Sequence, residues 1–185
     1  TILIPIKDHI SLLRTCLDGI FNKGGYDNLE IIIIDNNSEQ PETAEYLREI
    51  SQDERIRILP YKKPFNFAAI NNCAVEHATG EHILFLNNDV EAISDGWITS
   101  LLEHSQRKEV GAVGCKLLFP NNTIQHAGVV IGIKKTAGHS HKGLAADDHG
   151  YCGTLNLIRN YSAVTAACMM IKKQEFTNVG GFDAD

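Results

Sequence analysis

A chain of 185 residues, 43% hydrophobic and 22% charged, fits one ordinary globular domain with a single buried core. Its net charge of −6 argues against a general nucleic-acid or anionic-membrane surface, so no nucleic-acid partner is expected. The five cysteines, Cys16, Cys73, Cys115, Cys152 and Cys168, are widely spaced with no CxxC pair, which points to reduced core thiols in a cytoplasmic compartment.

Ile2–Ile6 reads as a first strand, with Pro5 near its end, where a missing backbone donor is easiest to accommodate. A helix over Ile10–Phe21 follows, with Leu12, Leu13, Cys16, Leu17 and Ile20 on one apolar stripe. Leu29–Ile34 is a second buried strand, and Pro41 opens a second helix reaching Ile50. Arg55–Leu59 is a third strand. Asn66 is a candidate cap for a third helix, Phe67–His77, with Gly80 beyond its end. The four apolar residues Ile83–Leu86 then read as a strand buried on both faces. This β-α-β-α-β-α-β alternation predicts an α/β fold with a mostly parallel sheet and right-handed crossovers; in the order 3-2-1-4, strands one and four flank the switch point.

The second half carries an expected helix over Asp95–Ser105, with Trp97, Ile98, Leu101 and Leu102 facing inward. A strand over Val110–Phe119 and a return over Ile124–Ile133 flank the turn Pro120–Thr123. Residues 134–150 read as a mobile surface loop, Val164–Ile171 as a buried strand, and Lys173–Val179 as a short helix before the tight turn Gly180-Gly181. The longest apolar-leaning run, Ala163–Ile171, is too short to span a membrane. Membrane association, at the inner face of the cell membrane, is therefore expected only through parts outside these residues. The chain opens on a strand and closes on Gly-Gly-Phe-Asp-Ala-Asp, and reads as a piece of something longer.

In open α/β sheets ligands bind beyond the carboxyl ends of the strands, at the point where strand order reverses. Three polar strand ends fall there: Pro5–Asp8, Asp35–Ser38 and Asn87–Asp89. Asp35 can accept a hydrogen bond from a base or ribose. Asp89 can hold Mg²⁺ or Mn²⁺ on phosphate oxygens, since hard cations prefer oxygen ligands.

The ordered series Ile-Leu-Ile-Pro-Ile-Lys-Asp (2–8), Glu-Ile-Ile-Ile-Ile-Asp-Asn-Asn-Ser (30–38) and Pro-Phe-Asn-Phe-Ala-Ala-Ile-Asn-Asn (64–72) continues through residues 78–91. Val-Gly-Ala-Val-Gly-Cys-Lys-Leu-Leu (110–118), Gln-His-Ala-Gly-Val (125–129) and Gly-Gly-Phe-Asp (180–183) follow. The series resembles family 2 glycosyltransferases with the GT-A fold, especially bacterial rhamnosyltransferase-like members. The resemblance covers essentially the whole chain. It implies a GT-A, Rossmann-like three-layer sandwich, with residues 1–91 as a nucleotide-binding half and 92–185 as an incomplete acceptor-side half. It implies sugar transfer from a UDP-, dTDP- or GDP-linked donor to a glycan or lipid-linked acceptor in cell-surface polysaccharide synthesis, inverting and metal-dependent. Pro5, Ile6, Asp8, Asp35, Asn37, Asn66, Asn87 and Asn88 are the implied nucleotide-sugar contacts, and Asp89 the metal ligand. Asn87 stands where the family's metal motif has a first aspartate, which removes a charge. The family's Glu-Asp pair that supplies the base falls beyond residue 185, leaving Asp183 as the nearest candidate for that role.

The alternative from another class is a module that binds a nucleotide sugar or glycan without turnover. A sugar-nucleotide pyrophosphorylase would need a glycine-rich loop after the first strand, and Lys7-Asp8-His9 has none. Gly-His-Ser-His (138–141), with His126 and His149, is a weak zinc pattern without a matching Cys pair. Lys62 and Lys63 read mainly as solvated loop charges, Trp97 as core, and Asn71 and Asn72 as structural at least as readily as ligand contacts.

Overall fold

The computed structural model describes residues 1–185, the side chain at position 134 excepted. Strands β1 (Ile2–Ile6), β2 (Ile31–Asp35), β3 (Ile56–Pro60) and β4 (His82–Leu86) alternate with helices α1 (Ile10–Lys23), α2 (Pro41–Ile50) and α3 (Phe67–His77). Helix α4 (Trp97–Ser105) leads to β5 (Ala112–Gly114). Two small hairpins follow, β6 (Leu117–Leu118) with β7 (Ile124–His126), and β8 (Val129–Ile131) with β9 (Ala137–His139). Strand β10 (Cys168–Lys172) and helix α5 (Lys173–Asn178) close the chain.

The main sheet has the order β3-β2-β1-β4-β10-β5. Its first four strands are parallel in the expected 3-2-1-4 arrangement, while β10 runs antiparallel to both β4 and β5. The continuous apolar strands are explained by their two covered faces. Ile2, Ile4, Ile31, Ile33, Leu84 and Leu86 pack with α1, α2 and α4 through Leu13, Leu17, Tyr46, Leu47, Ile98 and Leu101. Leu3, Ile32, Ile34, Ile83 and Phe85 face the opposite way, onto Ile70, Ala74 and Val75 of α3 and Phe176 of α5. Phe85 is 1% exposed, and its ring lies 5.1 Å from that of Phe176 and 4.9 Å from that of Phe182. Burying such a side chain contributes roughly 2–3 kcal/mol.

Several expectations are corrected. On α1 the inward stripe is Leu13, Cys16, Leu17 and Ile20, whereas Leu12 is 43% exposed. Leu12 sits one residue, about 100° of helix rotation, off the i, i+3, i+4, i+7 face. Val110–Phe119 is not one strand: β5 joins the main sheet and β6 leaves it for a hairpin. Ile124–Ile133 likewise divides at Gly128, whose φ of +102° breaks the extended path. A Cβ at Gly128 would lie 2.3 Å from the Tyr161 ring, so glycine serves both the turn and the close approach. Residues 134–150 are not one loop, because β9 pairs with β8 within them.

Candidate functional site

Residues of a parallel strand bond alternately to its two neighbours. On β1 the even positions face β2, with Ile2 N–H donating to Glu30 and Asn36 N–H donating to Ile6. Odd positions face β4, as in the Leu84 N–H donation to the Thr1 carbonyl. Pro5 therefore turns toward β4 with no N–H to give. The β1–β2 ladder runs unbroken from Ile2↔Ile31 to Ile6↔Asp35, but the β1–β4 pairing stops at Leu3↔Phe85. The sheet opens between Pro5 and Asn87, at the switch point. Ile6 itself is 3% exposed and belongs to the core, so only its backbone borders this crevice.

The β1 and β2 loops are tied to each other. Asp8 N–H donates to Ser38 Oγ at 2.9 Å, and Asp8 Oδ1 accepts from Glu39 N–H (3.0 Å), Gln40 N–H (3.0 Å) and Thr43 Oγ1 (3.1 Å). Gln40 makes no side-chain cap of its own, so a carboxylate from the neighbouring loop caps α2 and meets its positive end. The Gln40 hydrogen bond, assisted by Glu39 and Thr43 and opposed by burial, holds the Asp8 carboxyl below the usual carboxylate range. One oxygen of Asp8 thus belongs to the fold, leaving Oδ2 for any ligand. Asp8 and His9 both lie in the left-handed region, at φ +56° and +55°, as this tight turn requires.

Asp35 Oδ1 accepts from Ser38 N–H at 3.0 Å, which stiffens the β2 turn. Asn36, 4% exposed, donates through Nδ2 to the carbonyls of Tyr61 (3.0 Å) and Lys63 (2.8 Å), fixing the β3 loop beside it. Asn37 takes a φ of +58° and is exposed; its Nδ2 reaches the Lys63 carbonyl at 3.5 Å.

At the end of β4, Asn87 N–H donates to the Ala167 carbonyl at 2.9 Å, and its own carbonyl accepts from Val90 N–H at 3.3 Å. The Cys16 thiol lies 3.7 Å beneath that carbonyl. Asn88 is half-buried and Asp89 exposed on the turn. Burial, with the Asp89 charge added, pushes the Cys16 thiol up to about 12, so this thiol stays protonated. Among the described residues none donates a hydrogen bond to the Asp89 carboxylate, nor do three His, Cys, Asp or Glu side chains gather as a metal cluster. A lone free carboxylate beside amides suits a hard divalent cation whose other oxygen ligands come from water and a phosphate-bearing ligand.

Asn66 has both amide ends occupied: Oδ1 caps α3 at Ala69 N–H (2.9 Å), and Nδ2 donates to the Ala184 carbonyl (2.9 Å). Asn72 donates to the Phe182 carbonyl at 2.8 Å and accepts from Phe182 N–H at 2.9 Å. Together they clasp residues 182–184 against α3. Because α3 starts where β3 ends, Asn66 lies at the carboxyl edge of the sheet. Asp183 is exposed there, its Oδ1 accepting from Asp185 N–H at 3.2 Å.

His126 is 1% exposed. Its Nε2 accepts from Gly128 N–H (3.2 Å) and Thr165 N–H (3.4 Å), so Nδ1 carries the proton and donates to His139 Nδ1 at 2.8 Å. Burial, then the neighbouring His139, lowers its pKa to about 4. His126 is thus a neutral strut that braces the segment running to Ala167 and Asn87. His139 is engaged by His126, and His141 Nδ1 lies 2.5 Å from Ser140 Oγ, an arrangement unlike a zinc site. Sequence reasoning passed over Asn36 and Ser38 as anchors of the rim. Their only signal was position, immediately after a buried strand.

Residues 1–162 match the profile described as Glycosyl transferase family 2. The chain is 43% identical over 184 residues to the uncharacterized protein y4gI of Sinorhizobium fredii, covering 99% of this chain and 20% of that protein. It is 42% identical over 187 residues to the O-antigen biosynthesis protein RfbC of Myxococcus xanthus, covering 99% of this chain and 14% of that one. The chain therefore spans a fifth or less of each of these two relatives. Among solved structures, a mannosyltransferase, PcManGT, from Pyrobaculum calidifontis in complex with GDP-Man and Mn²⁺ superposes with a TM-score of 0.69 at 16% identity. The match covers 100% of this chain and 47% of that one. GalNAc-T7 with UDP, GalNAc and Mn²⁺ superposes with a TM-score of 0.74 at 12% identity, over 99% and 37% of the two chains. Both likenesses show a shared GT-A-like three-layer fold.

Proposed function

The chain belongs to glycosyl transferase family 2, and from that premise we propose that it holds the donor side of a transferase acting in cell-surface polysaccharide synthesis. The reaction moves a sugar from a nucleoside-diphosphate sugar to a glycan or lipid-linked acceptor, with inversion. The observation that carries this reading is the free Asp89 carboxylate beside the crevice that Pro5 opens between β1 and β4.

Adjacent strands lie about 4.8 Å apart, so Asp35 on β2 and Asn88 beyond β4 stand roughly 10 Å apart across β1, a span suited to a nucleoside diphosphate. Asp35 uses its second oxygen to accept from the base or ribose, and the exposed amide of Asn37 borders the same end. Asn87 and Asn88 offer amide donors to the diphosphate. Asp89 would be the residue to hold Mg²⁺ or Mn²⁺, in keeping with the Mn²⁺ in the two solved structures. When bound there, such a cation would supply Lewis-acid stabilisation of negative charge on the leaving diphosphate. To Asp183, exposed next to the Ala184 carbonyl that Asn66 holds, we assign the role of accepting the acceptor hydroxyl's proton.

Calorimetric titration with UDP, dTDP and GDP, each with and without Mn²⁺, tests the donor half. One of the three should bind in a metal-dependent manner. Asp89→Ala should weaken that binding about 10–100-fold, the worth of one charge-assisted ligand bond, without loss of fold. Metal-independent affinity, or an unchanged affinity in Asp89→Ala, removes Asp89 from the site.

A further inference from the structure

Three thiols that the proposed reaction does not use, Cys16, Cys115 and Cys168, line one cavity of about 550 Å³ bordered by α4, the 90–95 turn and strands β5, β6 and β10. The antiparallel register Ile171↔Ala112, Met170↔Val113, Met169↔Gly114 brings Cys168 opposite Cys115 at its next step. Directly opposed residues of antiparallel strands have Cα atoms about 4.5–5.5 Å apart, inside the span that a disulfide bridges. The Cys168 thiol already donates to the Cys115 sulfur at 3.6 Å. Cys16 is turned instead to the Asn87 carbonyl.

We propose that Cys115 and Cys168 form a reversible disulfide that cross-links β5 to β10, made by exchange with a low-molecular-weight disulfide such as oxidised glutathione. Cys115 is half-buried at the cavity wall, whereas Cys168 is 1% exposed, so the reagent meets Cys115 first. The hydrogen bond from Cys168 makes Cys115 the more acidic thiol; that bond and burial push Cys168 up. The Cys115 thiolate attacks one sulfur of the reagent, forming a mixed disulfide and releasing one glutathione thiolate. Cys168 then gives up its proton and attacks the Cys115 sulfur, releasing the second glutathione. Two protein thiols are oxidised and one reagent disulfide is reduced. The cross-link sits one residue from the Ala167 carbonyl that holds Asn87, so it stiffens the strand behind the donor rim.

The test uses the 185-residue chain with Cys152→Ser, which removes the exposed thiol. After oxidised glutathione and removal of excess reagent, intact mass spectrometry should show protein lighter by two hydrogens, and peptide mapping should join Cys115 to Cys168. Thermal unfolding should rise by up to about 10 °C and return on reduction. With Cys168→Ser the reaction should halt as a glutathione adduct on Cys115. Retention of both hydrogens, a linkage through Cys16, or loss of two hydrogens in Cys115→Ser overturns the assignment.

Discussion

Acid should weaken this fold before its carboxylates titrate, and His126 is the reason. A second proton on its ring would place N–H at Nε2, facing the N–H groups of Gly128 and Thr165, while Nδ1–H already faces His139. Its pKa falls from 6.5 to about 4 in the fold. A depressed histidine pKa stabilises the folded state fully above the unfolded value and loses that contribution as pH falls through the folded one. The drop is about 2.5 units at 1.36 kcal/mol each, or about 3 kcal/mol. Solvent reaching the exposed His139 screens part of it, leaving about 2 kcal/mol, a sizeable share of a typical 5–15 kcal/mol. Burial opposes the charge on Glu30, but hydrogen bonds from Thr79 and Thr1 and the Arg57 charge outweigh it; like Asp8 and Asp53, it stays below the usual carboxylate range, so these contributions fade only at lower pH. Urea unfolding between about pH 7 and about pH 4.5 should therefore show stability declining in wild type, with a slope below about 1.4 kcal/mol per pH unit. His126→Gln, whose amide oxygen can accept from Gly128 and Thr165, should show a flatter curve. Parallel curves for the two proteins would refute the buried, neutral histidine.

Pro5→Ala restores an N–H toward β4, so the β1–β4 ladder should lengthen and the crevice narrow. Amide exchange should reveal a protected N–H at position 5, with weaker nucleotide binding and no loss of stability. Asn72→Ala removes two hydrogen bonds to Phe182 and should cost about 1–3 kcal/mol in urea unfolding, with limited proteolysis near residues 182–185 accelerating. Gly128→Ala forces a side chain into a +102° φ and against Tyr161; it should lower thermal stability by several degrees, about 1–3 kcal/mol.

The first half of the fold was legible because each apolar run had one consistent period. Ile31–Ile34 cannot be amphipathic in any helix, and the alternation with its right-handed crossovers calls for parallel strands, although the order 3-2-1-4 is one of several that it allows. The place of β10 was not legible. Whether Cys168–Lys172 pairs beside β4 or at a far edge depends on which edge remains open after the other strands assemble, and no local pattern records that. Leu12 was misplaced because stripe membership turns on a single residue's rotation. At the rim, the strand ends named Asp35, Asn87, Asn88 and Asp89 by position alone. Sequence could not tell that Asp8 would cap a neighbouring helix, or that Asn66 and Asn72 would grip the Gly-Gly-Phe-Asp segment, since both depend on partners distant in the chain.

The Asn87–Ala167 bond has a consequence for how the molecule is made on the ribosome. Strands β1 to β4 emerge first and can pair among themselves, but until β10 arrives β4 is a bare edge of Ile83, Leu84, Phe85 and Leu86. Such an edge invites pairing with another nascent chain. The turn bearing Asp89 gains its anchor from Ala167 only when that late strand docks. Anchoring of the turn that bears Asp89 and closure of the aggregation-prone edge are therefore the same folding event, and a chain stalled before residue 172 would lack both.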